Sequence, residues 1–192
     1  MALPGVAQAG YLADTLERLV REHAPRSVAI IGCAGGNGFE RLFGFNLRRV
    51  VGVDINPSYL AEAERRYTGR FPNLELICSD ITSQTCHFEP PDLIFAALVF
   101  EYIGVEAGLT SLRRLSRPGT LTATVLQRPH LDIGAVTPSP FSSLRKLDPV
   151  LRIVPPAQFH DSARQVGFTI RSSLPRTLPT GKAFEEVLLA VP

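Results

Sequence analysis

Four side chains able to bind ligands or move protons stand just beyond strand-like apolar runs: Asp54, Asp80, Glu101 and His130. Asp54 ends Val50-Val-Gly-Val-Asp, Asp80 follows Leu74-Glu-Leu-Ile-Cys-Ser, and Glu101 follows Leu93-Ile-Phe-Ala-Ala-Leu-Val-Phe. Upstream of all of them, Val28-Ala-Ile-Ile31 stops in the glycine cluster Gly32-Cys-Ala-Gly-Gly-Asn-Gly38. A buried parallel strand, a tight glycine loop and a helix start bring backbone amides close to a nucleotide-like ligand. Glycine suits such a loop because a Cβ would block the approach and because these turns often require positive φ. Asp54 comes roughly twenty positions later, the spacing at which a carboxylate takes a ribose diol. The pair points to an adenosine-containing ligand. Glu101 is the first candidate general base and His130, after the fifth strand-like run, the second.

Two ligands fit that description, a dinucleotide and S-adenosylmethionine. The dinucleotide fingerprint wants glycine at the first, third and sixth places of its loop. Counted from Gly32 those places hold Gly32, Ala34 and Asn37; counted from Gly36 they hold Gly36, Gly38 and Arg41. Neither frame fits. The stretch Gly32-Cys33-Ala34-Gly35-Gly36 instead resembles motif I of the class I S-adenosylmethionine-dependent methyltransferases, Gly-Cys-Gly-x-Gly. Further segments follow in that family's order. Asp54-Ile55 looks like its acidic ribose ligand and the apolar residue after it. Asp80-Ile81 resembles the Asp that contacts the adenine amino group and the neighbour that covers the ring. Asp92–Ile103 resembles the fourth strand and active-site segment, and Leu112–Leu121 the helix, Pro-Gly turn and fifth strand. The resemblance runs from about Val28 to Val191. It implies a cofactor site made by Gly32, Cys33, Ala34, Gly36, Gly38, Asp54, Ile55, Asp80, Ile81, Ala97 and Leu98. One departure stands out: Ile30 occupies the place where the family usually has an acid that helps hold the methionine amino group.

These groups need a scaffold. Leu12, Leu16, Leu19, Val20 and His23 recur at helical spacing, predicting an amphipathic helix over about Val6 to His23. Strands are expected near Ser27–Ile31, Arg49–Asp54, Leu74–Ser79, Leu93–Val99 and Thr120–Leu126. Helices are expected near Gly38–Gly44, Pro57–Thr68, Val105–Arg117 and Pro156–Val166. Such alternation predicts a three-layer, Rossmann-like doubly wound α/β sheet with ligand at the carboxyl ends of its strands. Two last strands, Phe168–Ser173 and Ala183–Val191, are joined by Leu174–Gly181, too short for a parallel crossover. The expectation is seven strands, mostly parallel, closing in an antiparallel hairpin, as in the methyltransferase sheet. Between the fifth strand and the helix near Pro156, Gln127–Pro155 is rich in proline yet carries Leu131, Ile133, Phe141, Leu144, Leu147 and Leu151; by the same resemblance it would build a substrate cap, the alternative being a loop that packs on its own domain.

Bulk properties narrow the classes further. A chain of 192 residues, 45% of them hydrophobic, is enough for one core, so a single domain over residues 1–192 is expected. The formal charge is +2, and the pairs Arg48-Arg49, Arg65-Arg66 and Arg113-Arg114 fall on separate elements, which gives no nucleic-acid footprint. Cys33, Cys78 and Cys86 form no disulfide framework, so a reducing, cytoplasmic setting is expected. The longest clean apolar run, Leu93 to Phe100, is far short of a membrane span. Asp92, at a strand start after Pro90-Pro91, reads as structural, and His160 as a surface or capping residue. Tyr102 reads as a pocket-shaping side chain, and Tyr11 as a packing aromatic.

The function expected is methyl transfer from S-adenosylmethionine to a small-molecule O- or N-acceptor, with no nucleic acid, membrane or metal involved. Acceptor identity and oligomeric state are left open. The alternative is a non-catalytic S-adenosylmethionine-binding or interaction protein that retains the fold, motivated by Ile30. A nicotinamide-dependent oxidoreductase ranks last, because both glycine frames fail.

Overall fold

The computed structural model describes residues 8–128 and 152–192. His130, the first residues of the expected N-terminal helix and most of the proline-rich stretch 127–155 lie outside the described residues.

Seven strands form one sheet: β1 (Ser27–Ile31), β2 (Arg49–Asp54), β3 (Leu74–Cys78), β4 (Leu93–Ala97), β5 (Leu121–Gln127), β6 (Thr169–Thr177) and β7 (Ala183–Ala190). Their spatial order is β3-β2-β1-β4-β5-β7-β6. The first five are parallel, and β7 runs antiparallel to both β5 and β6. This is the expected architecture, closing hairpin included.

Helices cover both faces because β1, β2 and β4 are apolar on both sides, and alternate side chains point opposite ways. Val28, Ile30, Val50 and Phe95 pack toward α1 (Gln8–His23), a 3-10 turn at Phe39–Leu42 and α2 (Pro57–Tyr67). Ala29, Ile31, Val51 and Ile94 pack the other way, toward α3 (Val105–Arg114) and α4 (Pro156–Gln165). Phe100 and Phe159 meet there edge to face at 4.9 Å, both fully buried. Each such side chain contributes roughly 1.5–3 kcal/mol by leaving water. Among the described residues no helix is long and apolar enough to cross a membrane.

Three of the departures from the expected elements have a local cause. The segment Gly38–Gly44 makes only the 3-10 turn Phe39–Leu42, since Gly38 and Gly44 both take left-handed φ of 85°. α3 stops at Arg114 instead of Arg117 because Pro118 disfavours helix just before it. β6 runs on to Thr177, through Pro175, which an edge strand tolerates.

The chain passes from β1 outward to β2 and β3, then returns to place β4 on the other side of β1. The carboxyl ends of β1 and β4 therefore flank the point where the winding reverses. In open α/β sheets, ligands bind in that crevice.

Candidate active site

A cavity of about 340 Å³ opens at this crevice, within the range of small-molecule sites. The Gly32 and Cys33 amides both donate to the Val53 carbonyl, at 2.8 and 3.1 Å, which pins the loop after β1 to the end of β2. Gly32 has φ 69°, and a Cβ there would stand 3.2 Å from Val99 across the crevice. Cys33 is buried, and burial followed by the Asp54 charge pushes its thiol up to about 12. It is a packing group, unsuited to nucleophilic work.

Gly52, in the middle of β2, makes this seat possible. A Cβ on it would lie 2.9 Å from Leu76 Cδ2, 3.0 Å from Cys33 Sγ and 3.1 Å from the Phe39 ring.

Asp54 is held by two backbone amides. Ala34 N–H donates to Oδ2 at 2.8 Å and Asn56 N–H to Oδ1 at 2.9 Å. A carboxylate has about four acceptor positions, so two remain for hydroxyls of a ligand. Asp80 is fixed through Oδ1, which accepts from the Thr82 amide and hydroxyl, each at 2.8 Å. Oδ2 has no hydrogen-bond partner among the described residues. Ile55, 72% exposed, and buried Ile81 are apolar walls beside these carboxylates.

The segment after β4 supplies the opposite wall. Leu98 takes φ 55°, an unusual conformation for a bulky residue, and its amide donates to Val125 O at 2.8 Å. The Val99 carbonyl then accepts from the Tyr102 and Ile103 amides at 3.0 and 3.3 Å. This turn sets Val99, Tyr102 and Ile103 along the cavity with Ala97 and Leu98.

The same turn sends Glu101, the first candidate base, into the interior instead of along the cavity. Its side chain is in the interior, 1% exposed, and Oε1 accepts the Gln127 amide at 2.6 Å. Its carbonyl accepts the Arg152 amide at 2.9 Å, and Oε2 has no partner among the described residues. Burial pushes the carboxyl up to about 7, against the lowering effect of the Gln127 amide and its own backbone. Glu101 thus ties the end of β5 to residue 152 and does not line the cavity.

Gly36 and Gly38 also lie off the cavity wall. The Gly36 Cβ direction meets the Tyr67 ring at 2.5 Å and that of Gly38 meets Ala13 at 3.5 Å. Both let the loop pack on helices, and neither lines the cavity. Gly32, Cys33, Ala34, Asp54, Ile55, Asp80, Ile81, Ala97 and Leu98 do.

Sequence reasoning missed one wall entirely. Gln8, Leu12 and Ala13 of α1 face the cavity. Leu12 belongs to the helix's apolar stripe, which reads equally well as core packing, and Gln8 carries no sequence signal of its own. Tyr11 does pack: it stacks on Phe184 at 5.0 Å and donates to Glu186 Oε1 at 2.8 Å. His160 Nε2 lies 3.0 Å from Ser173 Oγ, away from the cavity wall. Asp92 is structural, accepting from the Arg26 and Ser27 amides at 2.9 and 3.0 Å and pairing with Arg117 at 2.7 Å.

Residues 28–119, the span holding the glycine loop, Asp54, Asp80 and the turn after β4, match the family model "Methyltransferase domain". Over that span, just under half of the chain, the sequence is similar to the class I methyltransferase-domain family. S-adenosylmethionine is the cofactor of that family. Trans-aconitate 2-methyltransferase of Methylobacterium nodulans is 37% identical over 106 residues, 55% of this chain and 38% of that protein. The matched stretch spans only about two fifths of the curated relatives' length. An S-adenosylmethionine-dependent methyltransferase of Clostridium acetobutylicum superposes with a TM-score of 0.73 at 12% identity, covering 99% of this chain and 94% of that one. N-methyltransferase NodS of Bradyrhizobium japonicum, in complex with S-adenosylhomocysteine, superposes at 0.73 with 17% identity, covering 97% and 88%. At these identities the two structures establish the methyltransferase fold.

Proposed function

We propose that this domain binds S-adenosylmethionine across the carboxyl ends of β1, β2 and β4 and transfers its methyl group to a small-molecule O- or N-acceptor. The observation that carries the reading is Asp54, held by two amides at the cavity wall with acceptor capacity to spare. Its remaining lone pairs suit a ribose diol, and Asp80 Oδ2 suits an adenine amino group. Ile55 and Ile81 supply apolar faces for the ring. The residues present fit the group.

A sulfonium supplies an activated methyl and leaves as a neutral thioether. The protein's own work is alignment. The walls from α1 and from the turn after β4 fix the acceptor relative to the ligand held on Asp54, and such positioning is worth roughly 7–11 kcal/mol of barrier. Asp54 and Asp80 are the only acids on the cavity wall among the described residues. An acceptor that ionises by itself, such as a carboxylic acid, needs no base there. The trans-aconitate methyltransferases among the relatives support a small acidic acceptor of that kind.

Calorimetry tests the reading directly. Wild-type protein is expected to bind S-adenosylmethionine and S-adenosylhomocysteine at micromolar Kd, and Asp54→Ala to weaken both about a hundredfold, since hydrogen bonds to a charged group are worth about 1.5–3 kcal/mol. Undetectable binding of both ligands to the wild type overturns it.

The inward turn of Glu101 and the apolar Ile30 favour one second reading, a domain that binds the cofactor without turnover. Labelled-methyl transfer to any acceptor in a screen of small carboxylic acids, phenols and amines ends that reading.

A further inference from the structure

Lys182 is a buried cation that no carboxylate among the described residues pairs with. It lies at the hairpin link before β7, where its carbonyl accepts the Leu178 amide at 2.8 Å. The next two residues bring it to the carboxyl edge of β5: Ala183 O accepts the Arg128 amide at 2.9 Å, and Phe184 pairs with Gln127. Its Nζ donates to Gln8 Oε1 at 2.7 Å, and the residue is only 8% exposed.

The acids on the adjoining strand are already committed. Glu185 accepts from Ser173 at 2.6 Å and pairs with Arg128 at 3.4 Å. Glu186 accepts from Tyr11 and pairs with Arg18 at 2.5 Å and Arg176 at 3.5 Å. No carboxylate among the described residues pairs with Lys182, and burial lowers its ammonium pKa. An ammonium carries three donors, of which Gln8 takes one. A buried charge left like this is costly unless something pairs with it.

Gln8 is also a cavity wall. The cavity runs from Asp80 and Ile81, past Asp54 and the glycine loop, to α1. A nucleoside lying on Asp54 and Asp80 points its far end toward Gln8, through a stretch where Ile30 offers no charge.

We propose that Lys182, which stands directly behind Gln8 of the cavity wall, binds a carboxylate that enters the α1 end of the cavity. The proposal rests on the S-adenosylmethionine reading above. The carboxylate has two possible sources, the amino-acid end of the cofactor and the acceptor itself.

Calorimetry on wild type, Lys182→Met and Lys182→Arg distinguishes them, with folding checked by circular dichroism. S-adenosylhomocysteine is titrated first, then trans-aconitate into protein saturated with it. Lys182→Met is expected to lose at least tenfold in affinity for one ligand, with Lys182→Arg within about threefold of wild type. Weakened S-adenosylhomocysteine assigns the cofactor's carboxylate; weakened trans-aconitate alone assigns the acceptor's. If Lys182→Met binds S-adenosylhomocysteine as the wild type does, and trans-aconitate binding is equal or absent in both, the proposal is overturned. Should Lys182→Met fail to fold, wild type is titrated with S-adenosylhomocysteine and with its carboxamide, and with trans-aconitate and its triamide; equal affinity within both pairs overturns the proposal. Wild type that binds no S-adenosylhomocysteine is a different result, since it removes the methyltransferase reading itself.

Discussion

Replacing Glu101 with glutamine should stabilise the protein above neutral pH and do little in mild acid. The carboxyl lies among Phe100, the end of β5 and the chain at residue 152, and burial pushes it up to about 7 from an ordinary 4.5. A carboxyl whose folded-state value is raised holds a proton that the unfolded chain has already released. Its full contribution is therefore present below about 4.5 and is lost as pH rises toward 7. Two and a half pH units separate these values, at about 1.36 kcal/mol each, so ionisation costs the native state at most about 3 kcal/mol. Glutamine keeps an oxygen for the Gln127 amide, 2.6 Å from Oε1, and carries no charge. Urea unfolding followed by circular dichroism, from pH 5 to 8, reads the difference; the chain has no tryptophan for fluorescence. The variant's midpoint should lie close to wild type at pH 5, where the loss is still under about 1 kcal/mol, and exceed it by roughly 1 M urea at pH 8. Parallel curves across that range would refute the idea that this buried acid resists ionisation. Loss of S-adenosylhomocysteine binding by a folded variant would contradict its place outside the cavity.

Gly52→Ala should destabilise the protein by about 1–3 kcal/mol through overpacking and weaken S-adenosylhomocysteine, because the new Cβ displaces Cys33 from its seat on β2; unchanged melting and affinity would rule this out. Ala34→Gly should raise stability by about 1 kcal/mol, since Ala34 holds φ 48° against a left-handed penalty of roughly 1–2 kcal/mol. Its amide still reaches Asp54, so calorimetric affinity should stay put while the melting temperature rises. Asp92→Ala should cost about 2 kcal/mol in chemical unfolding without changing cofactor affinity. Burial acts to raise the Asp92 carboxyl, but the Arg26 amide, Arg117 and Ser27 hold it below its usual value. Its stabilisation is thus lost as pH falls through that lowered value, and the acid side of the stability curve should flatten in the variant.

The sheet was legible because its strands are short β-branched runs ended by glycine, proline or acid. The closing hairpin was legible because Leu174–Gly181 is too short for a parallel return. Asp54 could be placed at the cavity from spacing alone, since the loop after β1 and the end of β2 abut in any sheet of this winding. Glu101 could not. Alternation along β4 predicts facing only while the chain stays extended, and Leu98 leaves that conformation at φ 55°. Beyond it the helical-type turn, invisible to period-two reasoning, chooses Tyr102 for the cavity and Glu101 for the core. The placement of Gly36 and Gly38 was hidden for a related reason. Their composition signals close approach, but what approaches is Tyr67 and α1. Gly52 was overlooked because a lone glycine in a strand announces crowding without naming its neighbour.

Ile55 stands in water at the cavity mouth, 72% exposed, with Tyr102 also uncovered at 43%. A planar base settling against such greasy surface releases structured hydration, and the signature of that release is a falling heat capacity. Association should accordingly grow more exothermic on warming, and polar replacement at position 55 should flatten that slope even where overall affinity barely shifts.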